Sequence, residues 1–250
     1  MLNLRQKNQM KTKKTEDSNG KVIQALARIS EAITSDLYLE DILKLIVAVT
    51  AEVMGSNICS ILLLDKSGKE LVVKATQSIS ERYNKKPNMK LGEGVAGKVA
   101  QEGKPITVLD VRKDKRYLSR DIAIKENLCS LLSVPLTFKK KVIGVLNCYT
   151  AKPHRFSQNE INVFKSIANQ AAIVIENFRL IIESKVIREE LESRKVVEKA
   201  KGILMKKESM GEEEAYNKIR KYSMDNRRSM REVSEAIILS EDIKKTDTSR

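Results

Sequence analysis

The stretch after Pro153-His154-Arg155-Phe156 constrains the architecture most, because it reads as one long helix joining two differently patterned parts of the chain. Ser157 and Glu160 have the spacing of a capping box, in which side chain and backbone N–H satisfy each other reciprocally. Ile161, Phe164, Ala168, Ala171, Ile175, Phe178 and Ile182 then alternate by three and four, as a coiled-coil seam does. Lys185 and Glu189 fall on seam positions, so a register shift is expected before Leu191. Such a seam is a natural homodimer face. Packing on its own domain's sheet would explain the first half, but less easily the polar, helix-favouring continuation.

Upstream, residues 1–20 are polar and cationic (Arg5, Lys7, Lys11, Lys13, Lys14), and a disordered tail is expected. From Lys21 to Ser35, Val22, Ile23, Leu26, Ile29 and Ile33 make one helical stripe. Leu39, Ile42, Leu43, Ile46, Val49 and Val53 make a second. The apolar run Ile58 to Leu64 reads as a strand, closed by the turn Asp65-Lys66-Ser67-Gly68 and answered by Leu71 to Ala75. Glycines 92, 94, 97 and 103 then bracket a short helix, with Pro105 barring its continuation. The spacing Gly92-x-Gly94-x-x-Gly97 matches a dinucleotide fingerprint. No parallel βαβ unit with an acidic ribose partner surrounds it, so that reading is set aside. Ile106-Thr107-Val108 is a further strand, Asp110 to Asn127 a mostly polar excursion, and Ser130 to Leu136 with Lys141 to Tyr149 a last hairpin.

Leu91-Gly92-Glu93-Gly94-Val95-Ala96-Gly97, Ser133-Val134-Pro135-Leu136 and Val142-Ile143-Gly144-Val145-Leu146, in this order of elements, resemble a GAF domain over roughly Leu37 to Asn177. The resemblance implies an antiparallel sheet with helices on one face and a small-molecule pocket roofed by loops on the other. It names no ligand, and the pocket residues stay unknown at this level.

Downstream, Val196, Val197, Ala200, Ile203 and Leu204 share one helix face, and Gly202 interrupts it. A glycine inside a helix costs about 1 kcal/mol relative to alanine. Either a neighbouring helix packs closely there or a polyanion approaches the bare backbone beside Lys201. Helices are expected over about Glu189–Lys207, Glu212–Ser223 and Met230–Ser240, the last opened by a capping box of Ser229 and Glu232. Lys218, Arg220, Lys221, Arg227 and Arg228 are opposed only by Asp225, with Tyr222 nearby, which suits phosphate contact and base stacking. Ser193-Arg194, Ala200-Lys201-Gly202-Ile203-Leu204-Met205, Glu214-Ala215-Tyr216, Ile219-Arg220, Met224-Asp225, Arg228 and Glu232-Val233-Ser234-Glu235-Ala236-Ile237-Ile238 resemble the ANTAR module, a small helical RNA-binding domain of bacterial transcription antiterminators. Met210-Gly211 stands where that family usually has a hydroxyl cap, and Ser223 where alanine is usual. The resemblance implies leader-RNA hairpins as partner, with Lys201, Arg220 and Arg228 as leading contacts. It makes Gly202 the close-approach position beside Ala200, and Arg194 and Lys221 secondary contacts. Arg194 could instead pair with Glu190 or Glu198 along its helix.

The formal charge of +14, from 47 basic and 33 acidic residues, fits a polyanionic partner. Cys59, Cys129 and Cys148 lie in apolar runs and read as reduced core residues, so a cytoplasmic location is expected. Metal-ligand spacing, membrane-length apolar runs and a signal peptide are absent from the sequence.

The expected architecture is therefore an α+β GAF sensor domain (21–180) and a connecting coiled-coil helix (157–190). An all-α three-helix ANTAR domain (190–242) and a disordered tail (243–250) follow. The expected function is a signal-responsive, dimeric, non-enzymatic antiterminator with no identified cofactor and a possible small-molecule ligand. The alternatives are a DNA-binding regulator whose last helices form a helix-turn-helix, and a cysteine-dependent methionine sulfoxide reductase. Haem sensing would need an axial ligand, and the sole histidine, His154, reads as a surface residue.

Overall fold

The computed structural model describes residues 20, 23–24, 27–31, 38–56, 58–78 and 87–247. The expected basic tail before residue 20 and most of the first stripe lie outside them. Residues 27–31 are helical, and Ile29 is fully buried. The chain divides into two compact units, Met1–Arg179 and Leu180–Arg250.

In the first unit, α1 (Leu39–Met54) ends at Gly55, whose left-handed backbone (φ 56°) lets its N–H and that of Ser56 return to the last turn. Strands β1 (Ile58–Leu64), β2 (Glu70–Thr76), β3 (Met89–Lys90), β4 (Ile106–Val108), β5 (Leu131–Phe138) and β6 (Lys141–Tyr149) form one antiparallel sheet in the order β3-β2-β1-β6-β5-β4. The β1–β2 turn is fastened by Asp65, whose carboxylate accepts from Ser67 Oγ (2.6 Å), Lys69 N (3.0 Å) and Glu70 N (3.1 Å). These bonds, Ser67's foremost, lower its pKa to about 2.

One sheet face, through Cys59, Ile61, Leu132, Val134, Leu136, Leu146 and Cys148, packs on α1 and on Phe164, Ile167, Ala168, Ala171 and Ile175 of α4 (Gln158–Glu208). The expected dimer seam over its first half, from Phe164 to Ile175, is thus spent inside its own domain. Phe164 is fully buried, and its truncation to alanine would cost about 3–5 kcal/mol. The other face carries α2 (Gly94–Glu102) and α3 (Arg120–Lys125). The polar excursion expected from Asp110 to Asn127 is therefore anchored: Val111, Tyr117, Ile122, Ala123 and Leu128 are buried beneath it. A register shift between Ile61 and Leu62 leaves β2 with one extra residue. That places Leu71 and Val73 on the α2 face while Ala75 joins the α1 face. The glycine fingerprint is a packing device, since a Cβ at Gly97 would stand 2.5 Å from the Lys90 carbonyl.

α4 starts with the expected capping box: Ser157 N donates to Glu160 Oε2 (2.7 Å) and Glu160 N to Ser157 Oγ (3.3 Å). It continues without the expected junction near residue 190 into the second unit. There α5 (Glu212–Asp225) and α6 (Met230–Asp247) follow. α6 outlasts its expected end at Ser240, so residues 243–247 of the expected disordered tail are helical, and 248–250 lie outside the described residues.

Candidate nucleic-acid interface

The carboxy-terminal unit is small, and its core consists of Ala200 and Leu204 from α4, Ala215 and Ile219 from α5 and Val233 from α6. Met210, Met230, Ile237 and Ile238 close it partway. Ala200 is fully buried here, so it sets helix spacing and offers no surface to a ligand.

Lys201 is only 6% exposed. Its Nζ lies 2.8 Å from Glu198 Oε1 and 2.8 Å from Glu212 Oε1, which ties the end of α4 to the first turn of α5. The hydrogen bond with Glu198, then that with Glu212, holds its pKa above the ordinary lysine value, and Glu212 is lowered by the same contact. The ammonium that leads the sequence expectation is therefore committed to two carboxylates.

Gly202 behaves differently. It is half-buried, yet a Cβ built on it would meet nothing within 4 Å, so among the described residues no neighbouring helix explains the glycine. Lys199 and Lys206 stand three residues before and four after it, on the same helix face. Both are exposed, and neither has an ionic partner among the described residues. Sequence reasoning passed over this pair because it followed the apolar stripe, although the three-and-four spacing around Gly202 would have found it.

Arg194, Arg220, Lys221 and Arg227 are likewise exposed and without an ionic partner among the described residues, so the pairing weighed for Arg194 with Glu190 or Glu198 is not made. Arg228 reaches Glu232 Oε1 at 3.5 Å with both side chains more than half exposed, a contact of little energetic weight. Tyr216, 40% exposed, precedes Arg220 by one turn, and Tyr222 is 59% exposed. Cation and ring at that spacing give base-stacking surface beside phosphate-binding surface.

The α5–α6 turn is fixed. Ser223 Oγ donates to the Arg228 carbonyl (2.5 Å) while Arg228 N donates to the Ser223 carbonyl (3.0 Å). Asn226 Nδ2 donates to the Tyr222 carbonyl (3.0 Å), and Arg227 adopts a left-handed φ of 51°. Ser223, a departure from the family pattern, thus closes the turn that presents Arg227 and Arg228. α6 opens with the expected capping box, in which Ser229 N donates to Glu232 Oε2 (2.8 Å) and Glu232 N to Ser229 Oγ (3.2 Å). Gly211 caps α5, and the missing hydroxyl is offset in part by Glu214, which accepts from Gly211 N at 3.3 Å.

The first unit holds a cavity of about 40 Å³ among Leu62, Val95, Tyr117, Leu131, Asn147 and Tyr149. No charged side chain lines it among the described residues. Asn147 Oδ1 is buried there without a hydrogen-bond partner among the described residues, as is Ser133 Oγ, which belongs to the residue opposite it on β5. Tyr117 donates to Tyr149 across the cavity at 3.2 Å. All three cysteines are free and buried. His154 sits at the surface with Nε2 2.8 Å from Glu160 Oε1. No group of three or more metal-ligating side chains occurs among the described residues, and no described helix is long and apolar enough to cross a membrane.

Family models match this chain as a GAF domain over residues 37–176 and as an ANTAR domain over residues 185–238. The first stretch is similar to a methyl sulfide methyltransferase-associated sensor of Methanosarcina acetivorans, 28% identical over 155 residues, which are 60% of this chain and 16% of that protein. The second is similar to the transcriptional regulatory protein PdtaR of Mycobacterium tuberculosis, 39% identical over 70 residues, 26% of this chain and 34% of that one. The chain thus spans about a third or less of these curated relatives. Among solved structures, the GAF domain of a phosphoenolpyruvate-protein phosphotransferase from Coxiella burnetii superposes with a TM-score of 0.57 at 26% identity, over 64% of this chain and 95% of that one. A free methionine-R-sulfoxide reductase from Neisseria meningitidis superposes with a TM-score of 0.54 at 21% identity, over 64% of this chain and 91% of that one, and shows the shared fold alone. The chain belongs to the GAF family, with an ANTAR domain following its GAF domain.

Proposed function

We propose that this protein is a signal-responsive transcription antiterminator. Its ANTAR domain binds hairpin loops in leader RNA, and its GAF domain receives a small molecule or a partner; it is not an enzyme. The observation that carries this reading is the set of exposed cations without ionic partners among the described residues, Arg194, Arg220, Lys221 and Arg227, together with the weakly held Arg228 and the uncovered backbone at Gly202. Phosphates supply the missing counter-charge, and Tyr216 and Tyr222 supply faces for unstacked bases. In this reading Lys201 positions the surface and does not itself grip RNA.

Dimerisation through α4 is part of the proposal. Ile173, Leu180 and Ile187 recur at sevens and are 40%, 47% and 65% exposed, with Leu191 one further turn on. This stripe, with Ile182 at the end of the expected seam (46% exposed), is an apolar face left for a second copy. A change in the pairing of that helix would couple the GAF domain to the spacing of two RNA-binding modules.

One observation favours the duplex-DNA alternative. The helices expected over Glu212–Ser223 and Met230–Ser240 leave residues 224–229 between them, long for a helix-turn-helix, whereas α5 runs to Asp225 and α6 starts at Met230, leaving residues 226–229. That length is compatible with the motif. Retention by hairpin RNA and by duplex DNA at equal salt separates the two, and preference for the duplex rejects the RNA reading.

A further inference from the structure

Cys59 and Cys148 stand directly opposite each other on β1 and β6, the two central strands. The backbone polar groups of Cys59 point away from β6: its N–H donates to Gln77 Oε1 (3.1 Å), and its carbonyl accepts from Gln77 N (3.2 Å). The two cysteines are therefore a non-hydrogen-bonded pair across β1 and β6, the kind whose Cα atoms lie about 4.5 Å apart with side chains closest. That separation falls within the range of roughly 4.4–6.8 Å that a disulfide spans. Both side chains project into the same core, and both are fully buried. Ser56 Oγ lies 3.1 Å from Cys59 Sγ. Cys129 is set apart, with its Sγ held by Arg112 Nη2 at 3.2 Å.

We propose that Cys59 and Cys148 form a redox-active dithiol inside the GAF core, converted by peroxide-class oxidants into a disulfide that clamps β1 to β6. Burial pushes the Cys59 thiol up and interaction with Cys59 lowers Cys148, which favours Cys148 as the first nucleophile; attack by Cys59 first yields the same disulfide. The Cys148 thiolate attacks one peroxide oxygen and the O–O bond breaks. The departing hydroxide takes up the proton that Cys148 released, leaving as water and Cys148 as a sulfenic acid. The Cys59 sulfur attacks that sulfur, the S–O bond breaks, and hydroxide leaves with the Cys59 proton as a second water. Two thiols and one peroxide yield one disulfide and two waters, with two electrons passing from sulfur to oxygen. Both thiols are buried, so oxidation waits on local opening of the fold and is slow compared with that of an exposed thiol. The neighbouring pair on the opposite sheet face is Ser60 with Asn147, so the clamp adjoins the floor of the sensor cavity.

The test treats the reduced full-length chain with hydrogen peroxide, blocks remaining thiols under denaturing conditions and maps the peptides by mass. A parallel sample is equilibrated in glutathione redox buffers, which reach the pair by thiol–disulfide exchange. The expected product is a Cys59–Cys148 cross-linked peptide, two hydrogen atoms lighter than its parts, with Cys129 still blocked as a thiol. Cys59→Ser and Cys148→Ser each abolish the cross-link, and Cys129→Ser leaves it intact. Recovery of Cys59 and Cys148 as separate blocked thiols in both oxidising treatments overturns the proposal, as does a cross-link that uses Cys129.

Discussion

Gly202→Ala separates what this residue does for the fold from what it does for a partner. The added methyl group would meet nothing within 4 Å among the described residues beyond its own helix turn, and the backbone there is not in the left-handed region, so no steric cost arises. What remains is the helix-propensity gain, about 1 kcal/mol, which slows exchange of protected amides roughly fivefold. Against a docked RNA backbone the same methyl overpacks the interface by about 1–3 kcal/mol, a drop of roughly 5- to 150-fold in affinity. Hydrogen exchange of the α5 amides reports the first quantity without interference from the GAF domain. Anisotropy titration of a labelled hairpin reports the second. The expected pair of results is slower exchange with weaker binding. A variant that binds the hairpin as tightly as the parent removes Gly202 from the interface. One whose α5 amides exchange faster refutes the reading of open space around it.

Three other outcomes are expected. Arg220→Glu with Arg228→Glu lowers hairpin affinity by more than tenfold and flattens its salt dependence by about 0.7 for each phosphate no longer neutralised, while far-ultraviolet circular dichroism stays unchanged. Leu180→Lys with Ile187→Lys turns a dimer into a monomer in light scattering; a parent that is already monomeric refutes the dimer proposal. For Asp65 the folded pKa, about 2, lies below the unfolded value, so its contribution is complete above pH 4 or so and is lost as pH falls through the folded value. Asp65→Ala is accordingly less stable at neutral pH and closer to the parent near pH 2, as read by denaturant unfolding.

Local rules carried much of this molecule. The capping boxes Ser157/Glu160 and Ser229/Glu232 are legible because both partners lie within one turn, and the observed bonds follow that spacing. The glycine-bracketed helix and the central hairpins are legible for the same reason. Tertiary partners are not. Lys201 pairs with Glu198 three residues away, which periodicity could suggest, and with Glu212 across a helix corner, which it could not. The three-and-four seam of α4 says that an apolar face is covered, not whether a sheet or another helix covers it. Its first half proved to lie on the sheet. The buried residues between Asp110 and Asn127 have no period, because each is placed by a different turn of the loop. Ser223 looked like a mild departure from a family pattern, and its role became visible only when Arg228 came within reach of its hydroxyl.

The sensor cavity is walled entirely by uncharged side chains among the described residues. A ligand seated there would gain nothing from Coulomb attraction and would be indifferent to ionic strength, whereas release of counterions would make the proposed grip on RNA fall steeply as salt rises. On the proposed function, input and output in one molecule would therefore answer to different physical variables. Raising potassium chloride would then weaken RNA binding while leaving occupancy of an uncharged cavity unchanged, so that each half could be titrated in the presence of the other.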